Sequence, residues 1–296
     1  MRFILLVCII GLILAKRPGF TKDFVEKLKK VASWEVEEFE NNIFKGWSDA
    51  ELRAILSVKM TLPDRSKELE PQMIDNLPDN FDPHDKWPAC IHPIRDQGQC
   101  GSCWAFGLVE SISDRFCIQG KDVILAPQDS VSCDKSNYGC NGGHIDRAWN
   151  YATQTGIVPD TCMPYVSGNG HVPPCPSKCT GKGTWVKYKC ASGTVFNAVD
   201  NTAKMNEMYN NGPLENAFAV YEDFFSYKSG IYHHVSGGLA GYHATKTLGW
   251  GVSSSGEKYW IVANSWGTSW GMKGFFWIRQ GDSQIDTNGW GCKPLL

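Results

Sequence analysis

The 296-residue sequence has no apolar run long enough to span a bilayer and no block of five or more like charges. A membrane-spanning helix needs about 20 consecutive apolar residues, and the formal net charge is only −2. Neither nucleic-acid binding nor a membrane span is therefore indicated. The sequence also lacks an Asn-x-Ser/Thr acceptor, so sorting by an N-linked sugar is excluded.

Cysteine is missing between residues 16 and 76, where glycine is also scarce and Lys and Glu are frequent. Beyond Leu77 the chain is rich in cysteine, glycine and aromatic residues. The chain has twelve cysteines in all, and this number favours an oxidising compartment. The change in composition predicts two segments with different roles.

The N-terminus has the pattern of a secretory signal peptide. An apolar stretch runs from Phe3 to Ala15 and ends at Lys16. Thirteen residues are too few to cross a membrane, and the charge on either side fits a signal sequence cleaved after Ala15. We expect a signal peptide over residues 1–15 and entry into the secretory pathway, with a signal anchor as the alternative.

Residues 16–76 predict two amphipathic helices that cannot fold alone. Phe24, Leu28 and Val31 share one helical face, while Ser48 and Glu51 form a capping box before a second apolar stripe. Both stripes need another surface to pack against. Three prolines then mark an extended connector suited to proteolytic removal. A helical linker without a regulatory role is the alternative.

From residue 77 onward a helical half precedes a β-rich half. Apolar residues recur every four positions, at Trp104, Leu108, Ile112 and Phe116. This spacing predicts one long helix from about Cys103 to near Gly120. From about residue 184, short β-branched and aromatic runs alternate with Gly and Ser turns, a pattern typical of strands. We expect an α+β protein with its site at the junction.

Cys103 is the candidate nucleophile because it lies at the predicted start of the long helix. Free N–H groups and the helix dipole favour a thiolate there. Membership of a disulfide is the alternative.

A candidate base follows from two predicted strands around the turn at residues 253–256. In an antiparallel pair about this turn, His243 faces Asn264. An imidazole held by an amide is the arrangement that a general base requires. The His233–His234 pair is the only rival, since the remaining histidines lack such a partner: His84, His92, His144 and His171.

The string QGQCGSCWAF from Gln97 to Phe106 resembles the signature of the papain family of cysteine proteases. Further motifs resemble the cathepsin B subfamily, among them Trp87-Pro-Ala-Cys, Cys140-Asn-Gly-Gly, Asn211-Gly-Pro and Leu248-Gly-Trp-Gly. The resemblance covers residues 77 to about 279. It implies a papain-like two-domain fold, with a helical left domain, a β-barrel-like right domain and the cleft between them. It also implies an inhibitory propeptide over residues 16–76 and a mature peptidase over 77–296.

The resemblance assigns roles to individual residues. Cys103 is the nucleophile, His243 the acid and base, Asn264 the orienting amide and Gln97 the oxyanion donor, beside the backbone N–H of Cys103. Trp266 shields the amide from solvent. Substrate contacts are expected at Gly142 and Gly143, which form a backbone ledge, and in a pocket lined by Ile145, Ala217, Ala244 and Asp286. An acid at the floor of this pocket is expected to admit Arg or Lys beside apolar side chains.

Ten cysteines remain when Cys8 of the signal and Cys103 are set aside. The resemblance suggests the pairs Cys90–Cys117, Cys100–Cys140, Cys133–Cys175, Cys162–Cys179 and Cys190–Cys292. A zinc site at His171, Cys175 and Cys179 is the alternative. If all ten cysteines form disulfides, no thiolate remains to bind zinc. No metal and no cofactor are expected.

Two departures from the subfamily bear on function. The connection from Cys162 to Cys175 is short and carries one histidine, His171, where the subfamily has a long loop with a His-His pair that caps the cleft. We therefore expect an open cleft and an endopeptidase. Tyr242 precedes the base where the subfamily has glycine, which narrows the cleft or impairs turnover.

The sequence thus predicts a cathepsin B-like cysteine endopeptidase made as a zymogen, in a lysosome or lysosome-like vacuole or secreted. Its expected partners are peptide and protein substrates, its own propeptide and cystatin-like inhibitors, and a monomer is expected. A retained dipeptidyl carboxypeptidase activity and a catalytically silent peptide-binding homologue are the alternatives.

Overall fold

The computed structural model describes residues 20–60, 67–68 and 77–296. The signal peptide expected over residues 1–15 lies outside the described residues, as does part of the connector before residue 77. Among the described residues, no helix has the length and apolar character needed to cross a membrane.

Most α-helices precede the main strands in the chain. Their bounds are α1 Lys22–Leu28, α2 Asp49–Ala54, α3 Pro83–Lys86, α4 Cys103–Ile118, α5 Pro127–Cys133, α6 Ile145–Gln154 and α7 Asn201–Asn211. Short 3₁₀ helices lie at Phe39–Asn41, Ser167–Asn169, Glu222–Ser226 and Ile285–Thr287.

The strands are β1 Glu35–Val36, β2 Lys189–Cys190, β3 Phe196–Asn197, β4 Leu214–Tyr221, β5 Tyr227–Ser229, β6 Ile231–Tyr232, β7 Leu239–Val252, β8 Lys258–Ala263, β9 Phe275–Arg279, β10 Trp290–Gly291 and β11 Pro294–Leu295. The main sheet has the order β3-β10-β4-β7-β8-β9-β6. It is antiparallel except for the β6–β9 pair. This sheet does not close into a barrel within the described residues, and the expected mixed α and β fold class is confirmed.

Helix α4 is the core of the helical half, as the four-residue spacing predicts. Residues 103–117 are all buried, and Trp104, Leu108, Ile112 and Phe116 belong to one apolar cluster. The helix contacts α5, α6 and strand β7. It therefore lies at the boundary of the two halves, with its N-terminus beside the sheet.

The segment before residue 60 packs on the β half. The capping box at Ser48 and Glu51 is present, and Leu52 behind it is buried. Helix α1 ends at Leu28, earlier than predicted, so Val31 falls outside it and is 60% exposed.

Strand β1 of this segment pairs with β5 of the β half. The ring of Phe44 lies 5.1 Å from the rings of both Phe225 and Trp266. The predicted need for an outside surface is thus met by the rest of the chain.

Residues 77–296 contain five disulfides, and Cys103 is a free, buried cysteine. The pairs are those that the resemblance implies: Cys90–Cys117, Cys100–Cys140, Cys133–Cys175, Cys162–Cys179 and Cys190–Cys292. Cys175 and Cys179 are each paired, so they cannot ligate zinc as thiolates.

Candidate active site

Cys103 is the first residue of α4 and has no exposed surface. Burial raises the pKa of its thiol, an effect opposed by hydrogen bonds from the backbone of Ala244 and from Ser57. The helix N-terminus favours the thiolate, but in this covered state desolvation dominates. Burial therefore disfavours the thiolate while Ser57 lies over it.

His243 lies on β7 and is fully buried beside Asn264. Its Nε2 is 2.7 Å from Asn264 Oδ1, which also accepts a hydrogen bond from the backbone N–H of Ser265. An acceptor at Oδ1 places the ring proton on Nε2. Nδ1 has no hydrogen-bond partner among the described residues, so it is the nitrogen available to take up a proton. Burial lowers the pKa of His243 to about 4.

The contact between His243 and Asn264 is as predicted, although the strand register is not. Lys246 pairs with Ala263, and a bulge lies between Thr247 and Gly249. If the pairing of Lys246 with Ala263 is extended by one residue, Asn264 lies opposite Thr245. His243 is then two residues away from Thr245 on the same face of β7. Diagonal neighbours in a sheet lie within reach of long side chains, and the two side chains meet across that diagonal.

Trp266 covers the pair of His243 and Asn264. Its ring centroid is 4.8 Å from that of His243, and only 4% of its surface is exposed. It stacks on Phe225 and contacts Phe44. This position excludes water from the hydrogen bond that orients the imidazole.

Gln97 is fully buried and its amide is held at both ends. Oε1 accepts a hydrogen bond from Ser265 Oγ at 2.7 Å, while Nε2 donates to the carbonyl of Cys100 at 2.9 Å. The same Nε2 also donates to the carbonyl of Ile55 at 3.0 Å. A carbonyl from the N-terminal segment therefore occupies the donor that the resemblance assigns to the oxyanion.

Gly142 and Gly143 face the same segment. The N–H of Gly143 donates to the Ser57 carbonyl at 3.2 Å, and the Gly143 carbonyl accepts from Lys59 at 2.8 Å. Gly142 has φ of +104°, and a Cβ there would lie 2.2 Å from the Ser57 oxygen. Glycine is needed for this close approach, so these two residues form a backbone ledge for an extended chain.

A cavity of about 230 Å³ opens beside this ledge. Residues 58–60 of the N-terminal segment close one side of it. The body of the protein supplies the rest of the lining: Ile145, Asn197, Ala217, Gln284, Thr287, Asn288 and Trp290. Ile145 and Ala217 were expected here. The body's share of the lining carries no ionisable side chain.

Two expected pocket residues lie elsewhere. Ala244 is fully buried behind the pocket and binds Cys103 through its backbone. Asp286 accepts a hydrogen bond from Trp260 Nε1 at 2.6 Å and another from the N–H of Gly281, and it does not line the cavity. This corrects the expected acidic floor. The chain takes left-handed φ values of 48° at Ser283 and 62° at Gln284, and Asn288 lines the cavity in place of the acid.

Sequence reasoning missed Tyr165. Its hydroxyl donates to the Gln97 carbonyl at 2.9 Å and lies 2.9 Å from Ser102 Oγ. Its ring packs edge-on against Phe106, at 4.8 Å. Tyr165 therefore links both sides of the loop before Cys103. A tyrosine three residues after Cys162 carries no sequence signal for this role.

The remaining candidates lie apart from the site. His171 is exposed, and His234 contacts Asp223 and stacks on Tyr221 with centroids 3.8 Å apart. His92, Cys117 and Asp122 lie close together, but Cys117 is in a disulfide. Tyr242 is half-buried against the apolar cluster that contains Cys103, and its carbonyl accepts from Val58 at 3.2 Å.

A buried free cysteine at a helix N-terminus, an imidazole oriented by an amide and a neighbouring amide donor are the parts of a cysteine-dependent hydrolase. Comparison with known proteins agrees with this class. The model of the papain family cysteine proteases matches residues 77–291. The chain belongs to the papain family and is a cathepsin B-like cysteine protease.

The relatives include Cathepsin B-like CP2 of Giardia intestinalis, 40% identical over 70% of this chain and 70% of that protein. Cathepsin B-like CP3 of the same organism is 42% identical over 68% of this chain and 69% of that protein. Among solved structures, procathepsin B S9 of Trypanosoma congolense has a TM-score of 0.85 and 32% identity, over 94% of this chain and all of the other. The Trypanosoma congolense structure is that of a precursor. In the present structure, too, an N-terminal segment covers the site.

Proposed function

We propose that this protein is a cysteine endopeptidase with an open cleft, made as a precursor over residues 16–296 and matured by removal of residues 16–76. The observation that carries the proposal is the Gln97 amide bound to the Ile55 carbonyl. A peptide carbonyl is thus already bound at the donor that an acyl-transfer reaction needs.

The geometry supports a role for each residue once the cover leaves. The thiol proton of Cys103 passes to Nδ1 of His243, which is left without a hydrogen bond in the part of the chain that the structure describes. The thiolate attacks the substrate carbonyl, and negative charge develops on its oxygen near Gln97 Nε2. His243 then protonates the leaving amine, which leaves an acyl-enzyme. Water activated by His243 hydrolyses the thioester and restores the thiol.

The N-terminal segment acts as the protein's own inhibitor in this proposal. Ile55 occupies the amide donor, while Ser57 occupies the glycine ledge and donates through Oγ to the Gly101 carbonyl at 2.6 Å. Arg53 fastens the segment by donating to the carbonyls of Leu239 and Ala240 at 2.9 and 3.0 Å. Removal of the segment exposes the site to substrate.

Pocket chemistry favours neutral side chains. Asn288 Oδ1 accepts from the N–H of Ala217 at 2.7 Å and its Nδ2 donates to the Ala217 carbonyl at 2.8 Å. Its amide is therefore satisfied within the wall and offers no charge. We expect apolar side chains to bind here and Arg or Lys to gain no advantage, in contrast to the sequence-based expectation.

The short connection after Cys162 supports endopeptidase specificity. Cys162 and Cys179 are only 17 residues apart and are tied together, and His171 between them is exposed. Capture of a substrate's terminal carboxylate needs cationic donors at the end of the cleft, and a single exposed histidine is a weak candidate. We further propose synthesis into the secretory pathway, with a lysosome-like vacuole or the exterior as destination.

The second candidate is a silent peptide-binding homologue, favoured by Tyr242. This residue lies next to His243 and its ring packs beside the cluster around Cys103. Binding without turnover would result if the ring held substrate away from the thiol.

Cleavage mapping by mass spectrometry distinguishes these activities. The processed protein is incubated at mildly acidic pH with reductant and a peptide bearing either a free or an amidated C-terminus, with Cys103→Ser as control. Equal internal cleavage of both peptides is expected. Dipeptides released only from the free end would contradict an endopeptidase. No cleavage with a thiol label still on Cys103 would establish the silent homologue.

A further inference from the structure

We call the cavity beside the glycine ledge the specificity cavity. One wall of it is a loop with an unusual backbone conformation that other contacts must hold in place. It comprises residues 283–288 and contributes Gln284, Thr287 and Asn288 to the lining. Ser283 and Gln284 both have positive φ, a conformation that non-glycine residues rarely adopt. Contacts elsewhere must hold the loop in this form.

Lys204 supplies such a contact from behind the wall. This residue lies on α7 and is only 1% exposed. Its Nζ donates to the Ile285 carbonyl at 2.9 Å, and Asn216 Nδ2 donates to the same oxygen at 3.1 Å. A Cβ built on Gly289 would lie 3.3 Å from Lys204 Cε, so the stem packs behind Asn288 and Trp290.

Burial of Lys204 costs desolvation free energy that an apolar residue at the same position would not cost. Burial of an ammonium group without full solvation is unfavourable, and desolvation lowers the pKa of Lys204 to about 7. The charged groups that oppose this shift are Asp286, on the 3₁₀ helix of the wall, and Asp200, the N-cap of α7. Nζ also lies 5.7 Å from the ring centroid of Trp260, whose Nε1 holds Asp286. The ammonium group thus contacts the wall directly at the Ile285 carbonyl and interacts with Asp286 of the same loop.

We propose that Lys204 is a positioning residue that sets the shape of the specificity cavity by holding the Ile285 carbonyl, and thereby determines which substrate side chains the cavity accepts. The inference rests on the peptidase activity proposed above. Lys204 does not touch substrate. Its effect is exerted through Gln284, Thr287 and Asn288, which are placed by the loop it anchors.

The test compares Lys204→Met with the wild type on peptides that differ only at the side chain entering the cavity: Phe, Leu, Val and Gly. The ratio of kcat/KM for Phe to that for Val is expected to change by about fivefold or more, mainly through KM, because the contact is remote from the reacting bond. Hydrolysis of the Gly peptide and alkylation of Cys103 are expected to stay unchanged. Lys204→Gln, which retains only an uncharged donor in place of the charge-assisted one, should restore the ratio in part. Lys258→Met, which removes an exposed lysine from β8, is the control.

A second measurement uses the wild type alone, in case the substitution prevents folding. The Phe-to-Val ratio is measured between pH 5.5 and 8, a range that includes the lowered pKa of Lys204, about 7. Titration of His243 affects both substrates alike and cancels in the ratio. We expect the ratio to change across this range in the wild type and to stay flat in Lys204→Met.

A Phe-to-Val ratio that is constant with pH, and within twofold of wild type in any folded variant, overturns the inference. Where Lys204→Met does not fold, a ratio that is constant with pH in the wild type and unchanged in Lys204→Gln overturns it. Absence of any peptide cleavage by the wild type is a different result. It contradicts the proposed peptidase and is recognised before the variants are compared.

Discussion

Replacement of Gln97 by alanine separates two functions of one nitrogen atom. Nε2 binds the Ile55 carbonyl in the covered state, and in the proposed reaction it binds the substrate oxygen as negative charge develops. Gln97→Ala removes the donor from both. The two losses differ in size, because one acceptor is a neutral carbonyl and the other becomes an oxyanion.

For the reaction, loss of one preorganised oxyanion donor lowers kcat by about 10²–10³. For the covering segment, loss of one neutral hydrogen bond is expected to weaken binding by about 0.5–1.5 kcal/mol, or roughly two- to tenfold. Gln97 also holds Ser265 and the Cys100 carbonyl, and loss of these contacts lowers stability without altering this comparison.

The assay measures kcat and KM of the processed variant, the inhibition constant of a synthetic peptide of residues 20–60, and the rate at which iodoacetamide alkylates Cys103. The alkylation rate should be unchanged, since it needs the thiolate but no oxyanion donor. Gln99→Ala is the matched control, because Gln99 lies on the same loop with an exposed side chain.

A fall in kcat of less than about tenfold in Gln97→Ala would refute the assignment of Gln97 as the oxyanion donor. An equal loss in kcat and in alkylation rate would also refute it, since that result places the defect in the nucleophile. An unchanged inhibition constant would contradict the contact with Ile55.

The remaining predictions concern the parts that orient the reacting groups. Asn264→Ala should lower kcat by about a hundredfold with little change in KM, because the imidazole loses the acceptor that fixes its ring; an unchanged kcat in a steady-state assay would contradict this. Tyr165→Phe should lower kcat and weaken a peptide aldehyde inhibitor, while Tyr188→Phe, whose hydroxyl has no hydrogen bond in the described part of the chain, should do neither. Because burial lowers the pKa of His243 to about 4, the unfolded precursor binds this proton at higher pH than the folded one. The stability that neutral His243 contributes is therefore complete above about pH 6.5 and falls by roughly 3 kcal/mol towards pH 4. Urea unfolding of the Cys103→Ser precursor with and without His243→Gln tests this, since other titrating groups contribute to both proteins, and parallel pH profiles would contradict it.

Local signals in the sequence were sufficient for several elements. The four-residue spacing predicted α4 because its apolar positions are buried on all sides, and the Ser48 capping box predicted the start of α2 because both of its hydrogen bonds are local. Cys103 was a candidate nucleophile because of its place at the predicted helix start, and the structure places it, unpaired, as the first residue of α4. These features depend on contacts within about four residues along the chain.

Features that depend on distant contacts were predicted less well. The meeting of His243 and Asn264 was expected, but the strand pairs beside the turn are centred on residue 255, later in the chain than the centre used to derive it, and the bulge in β7 recovers only one residue of this difference. A bulge inserts one extra residue into a strand. A single inserted residue is hard to recognise in the alternation of apolar and polar residues. The contact survived because a diagonal pair is also within reach.

The specificity cavity shows the same limit more clearly. Asp286 was expected at its floor, yet left-handed φ at Ser283 and Gln284 sends the chain along another path. Ser and Gln are not residues that signal positive φ. The role of Lys204 could not be predicted from the sequence either, because a lysine on a helix is usually exposed. Only packing against the cavity wall buries this one.

The most direct test of the account is active-site labelling of the processed protein with a peptidyl thiol reagent, followed by peptide mapping. We predict one label per molecule, on Cys103, with activity lost in proportion to labelling, and far slower labelling of His243→Ala and of the precursor in which Ser57 covers the thiol. Peptide cleavage that persists after complete labelling of Cys103, or in Cys103→Ser, would contradict the central claim.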